Sequence, residues 1–157
     1  MANHWIKVPG CEGEATDKGH QKEIDIQSWA WGVVHPVSPT GPGQSSGEAT
    51  AHDLSVTKRI DKATPTLVQF CLSGKHLDEI VLTARKRGED TIDYLKVTMK
   101  GAIVTAVSPS GSEGVPGSEA VSFNFAEVAI EYTPQSDDGK AGATSKAAWN
   151  LKENVKK

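Results

Sequence analysis

Side chains able to support acid–base or metal chemistry are few in this chain and widely separated. The pair His52-Asp53 resembles half of an acid–base pair, but neighbouring residues of a strand point to opposite faces. Asp137-Asp138-Gly139 resembles a fragment of a calcium-binding loop without the remaining ligands. The histidines show no spacing typical of metal ligands; they are His4, His20, His35, His52 and His76. We therefore predict no metal, no cofactor and no enzymatic activity.

The catalytic motifs that can be recognised from sequence are also absent. The chain has no G-x-S-x-G, no H-E-x-x-H, no P-loop and no C-x-x-C. Gly111 to Gly114 reads as a turn, because no helix start follows it to hold a phosphate. The two cysteines, Cys11 and Cys71, are expected to be reduced and separate, as in a protein made in the cytosol. Distance along the sequence leaves a disulfide open.

Length and charge exclude several broad classes of protein. The chain has 157 residues, a formal net charge of −3 and a pI of about 5.9. We expect one domain spanning 1–157, large enough to fold without a disulfide or a metal. The mild acidity argues against nucleic-acid binding, which usually requires a basic surface. The sequence has neither a signal-peptide pattern at its start nor an apolar run long enough to cross a membrane.

Alternating apolar and polar residues predict a mainly β fold, as a bulged antiparallel barrel or two packed sheets. Changes in the phase of this alternation predict bulges near Gln27 and Ser28, and again near Ala126 and Glu127. The predicted strands are 5–8, 23–33, 52–60, 76–86, 91–100, 102–107, 119–132 and 148–151.

One short flanking helix, over about residues 65–73, interrupts this pattern. Thr64 is a suitable N-cap, Pro65 suits the first helical position, and Gly74 is a natural stop. An apolar stripe includes Leu67 and Cys71, and it predicts that the helix packs on the sheet with Cys71 as a small buried residue. The stripe as a whole is Leu67, Val68, Cys71 and Leu72.

Two tryptophans at a spacing of two stand out in the strand over 23–33. Trp29 and Trp31 must point to the same face, where they are expected to be largely buried. Ala30, between them, then points to the opposite face. The six residues predicted for the core are Trp29, Trp31, Leu67, Cys71, Phe123 and Phe125.

The segment His35 to Ala51 is rich in proline, glycine and serine and is too long for a simple hairpin turn. Loops of this length without internal structure are usually functional or disordered. Two interpretations stay open: a mobile loop, or an arm that packs on a partner chain.

Several runs along the chain resemble, in order, the haemolysin-coregulated protein (Hcp) family of bacterial type VI secretion. They are IDIQSWAWG at 24–32, DLSVTKRIDKATPTL at 53–67, SGKH at 73–76, FNFAEVAIEY at 123–132 and WNLKENV at 149–155. The resemblance implies a β-barrel with a flanking helix, without a catalytic site. It also implies hexameric rings that stack into a tube and carry small effectors in the lumen, with the spike protein and the sheath of the secretion machine as further partners.

From its length and its proline and glycine content, the arm is expected to reach a subunit interface, through His35, Pro36, Pro39, Thr40, Pro42, Gln44 and Ser46. The resemblance implies that the strand carrying Ala30 helps to line the channel, so Ala30 is expected to face the lumen. The protein is expected in the bacterial cytoplasm and then outside the cell, exported without a signal peptide and without insertion into a membrane.

Two other classes of function remain to be weighed. A small-molecule-binding barrel would be a monomer with an apolar cavity. An enzyme on a barrel scaffold would need convergent titratable residues, which the sequence does not display. Of these three classes of function, only a tube subunit predicts a particle several times the mass of the monomer.

Overall fold

A computed structural model describes residues 3–37, 48–86 and 91–157. The protein is mainly β, with antiparallel pairing between strands and one short helix, so the predicted fold class is confirmed. The elements are β1 (His4–Lys7), β2 (Ile24–Asp25), β3 (Ser28–Val34), β4 (Thr50–Arg59), α1 (Thr64–Ser73), β5 (His76–Lys86), β6 (Ile92–Ser112), β7 (Val115–Asn124), β8 (Glu127–Tyr132), β9 (Ser145–Asn150) and β10 (Val155–Lys156).

The long strand β6 joins the two parts of the sheet. One part runs β10-β9-β8-β6-β5-β1-β2, and the other runs β3-β4-β7-β6. The sequence predicted two strands here, divided at Gly101, but β6 is continuous. Gly101 has a φ of +61°, which glycine adopts without steric cost, and the strand changes partner around it from β8 to β7. The glycine therefore bends one strand instead of ending it.

The tryptophan-containing segment is two strands, and the bulge predicted near Gln27 and Ser28 is wrong. β2 pairs with β1, whereas β3 pairs with β4. Between them the N–H of Ile26 donates to the His4 carbonyl and the N–H of Gln27 donates to the Thr57 carbonyl. The phase changes because the chain moves from one part of the sheet to the other. The register shift in this region lies between Ala30 and Gly32 instead.

The second change of phase has the same origin. β7 ends at Asn124 and β8 begins at Glu127, and Ala126 donates its N–H to the Lys100 carbonyl at the bend. A Cβ placed on Gly101 would lie 3.0 Å from the Cβ of Ala126, so this corner is closely packed. The bulge predicted near Ala126 and Glu127 is therefore a strand break.

The helix lies where it was predicted, with a different start. Its N-cap is Ala63, and Thr64 is the first helical residue. The Thr64 hydroxyl accepts from the Asp61 N–H, and the Asp61 carboxylate accepts from the Ala63 N–H. Gly74 ends the helix in the left-handed conformation as expected, and the N–H groups of Gly74 and Lys75 satisfy carbonyls of the last turn.

The core includes Leu67, Phe123 and Phe125 as predicted. Three other predicted core residues, Trp29, Trp31 and Cys71, are only half-buried and pack against the edge of this cluster. The expectation that both tryptophans are largely buried is wrong, because β3 is an edge strand that, among the described residues, pairs with β4 alone. Leu72, placed in the apolar helical stripe, is 84% exposed.

Candidate functional site

The outer face of the β3-β4-β7-β6 part carries rows of small side chains. Ala30 pairs with Ser55, Ser55 with Ser122, and Ser122 with Ala106, so one row crosses four strands. Ala30, Ser55 and Ala106 are exposed, and Ser122 is half-buried. The Ser55 and Ser122 hydroxyls lie 3.4 Å apart. Ala30 therefore faces away from the core, as the strand alternation predicted.

The neighbouring row is similar, with the exposed residues Ser28, Thr57, Ala120 and Ser108. A charged group follows on β4, where Asp53 accepts from the Thr105 hydroxyl at 2.8 Å and from the Asn124 amide at 3.0 Å. These rows form what we call the small-residue face. Within them only hydroxyls and methyl groups project.

The opposite face of β3 is aromatic. Trp31 meets Phe125 edge-to-face at a centroid distance of 6.3 Å, and Trp29 donates its indole N–H to Nδ1 of His4 at 3.1 Å. These contacts hold β3 onto the core through its side chains, while in the described part of the chain its backbone pairs with β4.

The β3–β4 hairpin continues as a two-stranded ribbon at its end, where residues 32–34 pair with residues 50–52 before the pairing of β4 with β7 begins at Leu54. Val33 and Val34 are adjacent and therefore point to opposite faces, yet they are 58% and 44% exposed. Val37, farther along, is 65% exposed. His35 and Pro36, two of the predicted interface residues, are exposed as well. The other five, Pro39, Thr40, Pro42, Gln44 and Ser46, lie outside the described residues.

A buried charge cluster positions the start of α1. Lys58 and Glu119 pair across β4 and β7, and each is at most 1% exposed. The Lys58 ammonium also donates to Asp61 Oδ1 at 2.8 Å and to the Arg59 carbonyl at 2.8 Å. Thr64 donates to the Glu119 carboxylate at 2.8 Å. The cluster therefore fastens the first turn of the helix to the sheet.

A second network fastens the segment after β1 to the β5–β6 pair. The buried His20 ring stacks on Trp5 at 4.2 Å, and its two nitrogens contact Glu23 and Asp93, the latter at 3.0 Å. Arg85 donates to Asp93 at 2.7 Å. These contacts join three elements that the order of the chain keeps apart.

Arg85 also lies 4.8 Å from the Trp5 ring centroid and donates to Asp17 at 2.7 Å. Hydrogen bonds from the Arg85 side chain and from the Gly19 N–H lower the pKa of Asp17. The ion pair thus ties the loop that carries Asp17 to the end of β5.

Both networks were missed by the sequence analysis. The apolar face of β4 runs through Leu54 and Val56, and Lys58 is the next residue in that phase. A lysine at a core position is a recognisable signal of a buried ion pair. Nothing comparable marks His20, whose partners are distant in sequence.

The two cysteine thiols differ in their burial. Both cysteines are free in the structure, Cys11 buried and Cys71 half-buried. Cys11 is buried with its sulfur 3.7 Å from the Ala63 carbonyl, and burial, followed by the charge of Asp61, raises its pKa to about 11.

Among residues 3–37, 48–86 and 91–157, His, Cys, Asp and Glu side chains form no group of three that could hold a metal ion. In the same part of the chain, no helix is long and apolar enough to cross a membrane.

Comparison with known proteins agrees with the architecture. Residues 5–132 match the family model described as type VI secretion system effector, Hcp. The chain is 43% identical over 155 residues to protein hcp1 of Pseudomonas aeruginosa, covering 96% of both chains. A second protein of that organism, the major exported protein, is 29% identical over 68 residues, or 43% of this chain and 39% of that one.

Solved structures give the same result. A type six secretion system protein superposes with a TM-score of 0.94 at 28% identity, covering 100% of both chains. Hcp1 from Salmonella typhimurium superposes with a TM-score of 0.84 at 34% identity, also covering 100% of both chains. With the family model spanning most of the chain and close relatives covering nearly all of it, the chain belongs to the Hcp family of type VI secretion proteins.

Proposed function

We propose that this chain, as one Hcp-like barrel domain, is a structural subunit of the type VI secretion inner tube. Six copies form a ring, rings stack into a tube, and the lumen carries small effector proteins. The tube contacts the spike protein at its tip and the sheath around it. The protein is made in the bacterial cytoplasm and exported by the same machine. This role needs no catalytic site.

The projecting end of the β3–β4 hairpin carries the proposal of self-assembly. Valines exposed on both faces of a two-stranded ribbon are unfavourable in water, because about 25 cal/mol is lost for each Å² of apolar surface left uncovered. An adjacent copy would cover Val33, Val34 and Val37 and would meet the arm at residues 35–51. Family membership supports a second copy of the chain as the covering partner.

The small-residue face supports the assignment of the lumen wall. It lacks large side chains, so it leaves space beside the sheet, and its hydroxyls offer hydrogen bonds to a passenger protein. Ala30 lies on strand β3, in the row of this face that runs through Ser55, Ser122 and Ala106. We propose that this row faces the channel.

Light scattering during size-exclusion chromatography tests the assembly. The expected particle has six times the 16.7 kDa mass of the protomer. Deleting residues 40–46, or changing Val37 to Ser, is expected to shift the protein toward monomer while the β-sheet circular dichroism is retained. Val155→Ser is the matched control, since Val155 is 42% exposed on β10, at the other edge of the sheet. A deletion variant that remains a full ring in dilute solution would contradict the role of the arm.

Co-purification of an effector tests the lumen. Ala30→Gln adds a long side chain to the Ala30 row of the small-residue face. It is expected to reduce effector binding and secretion without changing the ring mass. Ala147→Gln is the control, because Ala147 is an exposed alanine on β9, outside the small-residue face. Normal carriage of every effector by Ala30→Gln would exclude Ala30 from the lumen contact.

A further inference from the structure

We propose that His4 is a pH-sensitive link between β1 and the edge strand β3, and that protonation of His4 releases the Trp29 indole. The inference concerns the folded protomer and does not rest on the proposed ring. It goes beyond the proposed function because it adds a response to acidity.

His4 connects the two parts of the sheet at the point where the chain crosses between them. Its carbonyl accepts the Ile26 N–H at 3.1 Å, and its Nδ1 accepts the Trp29 indole N–H at 3.1 Å. The first bond belongs to the backbone and does not titrate. The second requires a lone pair on Nδ1. An indole nitrogen can only donate, so its bond exists only while Nδ1 is unprotonated.

An open cavity of about 540 Å³ beside His4 gives protons access to the ring. The charged groups that line this cavity come from each element around it: Glu14 from the loop after β1, Asp25 from β2, Arg59 from the end of β4, and Asp61 from the loop between β4 and α1. Burial raises the pKa of the Asp25 carboxyl.

Burial lowers the pKa of His4 below its ordinary value of 6.5, which favours the neutral ring in the folded state. Above about pH 6.5 the histidine is neutral in both the folded and the unfolded chain, and the Trp29 bond contributes in full. As the pH falls through the folded pKa, the unfolded chain has already bound the proton, so the stability supplied by this link is lost.

The consequence is localised to one end of β3. Trp29 is half-buried, and it anchors an edge strand for which the described residues supply one backbone partner, β4. Loss of the indole bond therefore loosens the strand that carries Ala30 and leads into the exposed hairpin end.

¹⁹F NMR of the full chain labelled with 5-fluorotryptophan tests the link directly. The chain has four tryptophans, and a Trp29→Phe variant assigns the Trp29 resonance. We expect this resonance to shift between neutral pH and about pH 5, with a midpoint below that of an exposed histidine. In His4→Gln, whose amide oxygen can accept the indole N–H but does not titrate in this range, the shift should disappear.

His52→Gln removes an exposed histidine of β4 and is the control, with the Trp29 shift expected to persist. Urea unfolding gives a second readout that does not depend on the folding of His4→Gln: the fall in midpoint from neutral pH to about pH 5 should be smaller in Trp29→Phe than in wild type. A Trp29 resonance that is constant across this range in wild type overturns the proposal. So does a shift that persists unchanged in a folded His4→Gln protein.

Discussion

Lys58→Met is expected to be among the most destabilising single substitutions in this chain. The side chain is 1% exposed, and its ammonium contacts Glu119, Asp61 and the Arg59 carbonyl. Methionine has a similar length and replaces the apolar stem, so packing is largely retained. The substitution leaves the carboxylates of Asp61 and Glu119 without their cation, and that of Glu119 is fully buried. Removing one partner of a buried pair costs about 3–5 kcal/mol.

The cost arises from the charge left behind, so the second partner can relieve it. Oε2 of Glu119 has no hydrogen-bond partner among the described residues even in wild type, and its other oxygen loses the lysine. In Lys58→Met/Glu119→Leu both buried charges are gone. Asp61 keeps its hydrogen bond from the Ala63 N–H. We expect the double variant to recover most of the loss, because apolar replacement of a whole buried pair is often neutral or stabilising.

Urea unfolding at one fixed protein concentration measures these differences, with chromatography confirming that the variants share one oligomeric state. Lys62→Met is the matched control. Lys62 is 53% exposed and pairs with Glu12 at 3.5 Å, so its loss should cost less than about 1 kcal/mol. The reasoning is refuted if Lys58→Met unfolds within 1 kcal/mol of wild type, or if the double variant is as unstable as the single one.

Three further outcomes are expected. Gly101→Ala should destabilise by about 1–2 kcal/mol in urea unfolding, because φ is +61° and the added methyl meets Ala126 at 3.0 Å; equal stability would contradict the strained corner. A thiol reagent should modify half-buried Cys71 in the native protein but reach Cys11, whose pKa is raised to about 11, only on unfolding, as peptide mass spectrometry would show. Trp29→Ala should cost less than the roughly 3–5 kcal/mol of a fully buried aromatic residue, and a larger loss in the monomer would mean that Trp29 belongs to the core.

The pattern of alternation predicted the strands and the helix well because each reports a local period. Gly74 ends the helix as expected, since the left-handed position that stops a helix nearly requires glycine. The outward direction of Ala30 followed from the same period. How deeply Trp29 and Trp31 are buried did not follow from this period. Alternation assigns each side chain to a face of the sheet but does not say how far its strand lies from the edge of the sheet.

The two changes of phase were detected in the right places and misread. A bulge and a strand break both move the apolar face by one residue, so periodicity alone does not distinguish them. The difference lies in the partners: the N–H groups of Ile26 and Gln27 donate to carbonyls on two different strands. Pairing partners are set by tertiary structure. The same limit explains why β6 was divided at Gly101, which bends the strand while leaving its hydrogen bonding continuous.

The buried charges explain why the small-residue face can make few of the contacts that stabilise the protomer. Lys58 and Glu119 hold the start of the helix, and His20 and Arg85 hold the segment after β1. The first network is buried between β4 and β7, and the second joins the segment after β1 to β5 and β6 through residues that are not in the rows of the small-residue face. Side-chain hydrogen bonds at that face are the long Ser55–Ser122 contact and those of Asp53 beside it, so most of its small side chains are free of such contacts among the described residues. Substitutions in the small-residue face should therefore affect what this surface binds more than whether the chain folds. For this reason Ala30→Gln tests effector binding and not stability.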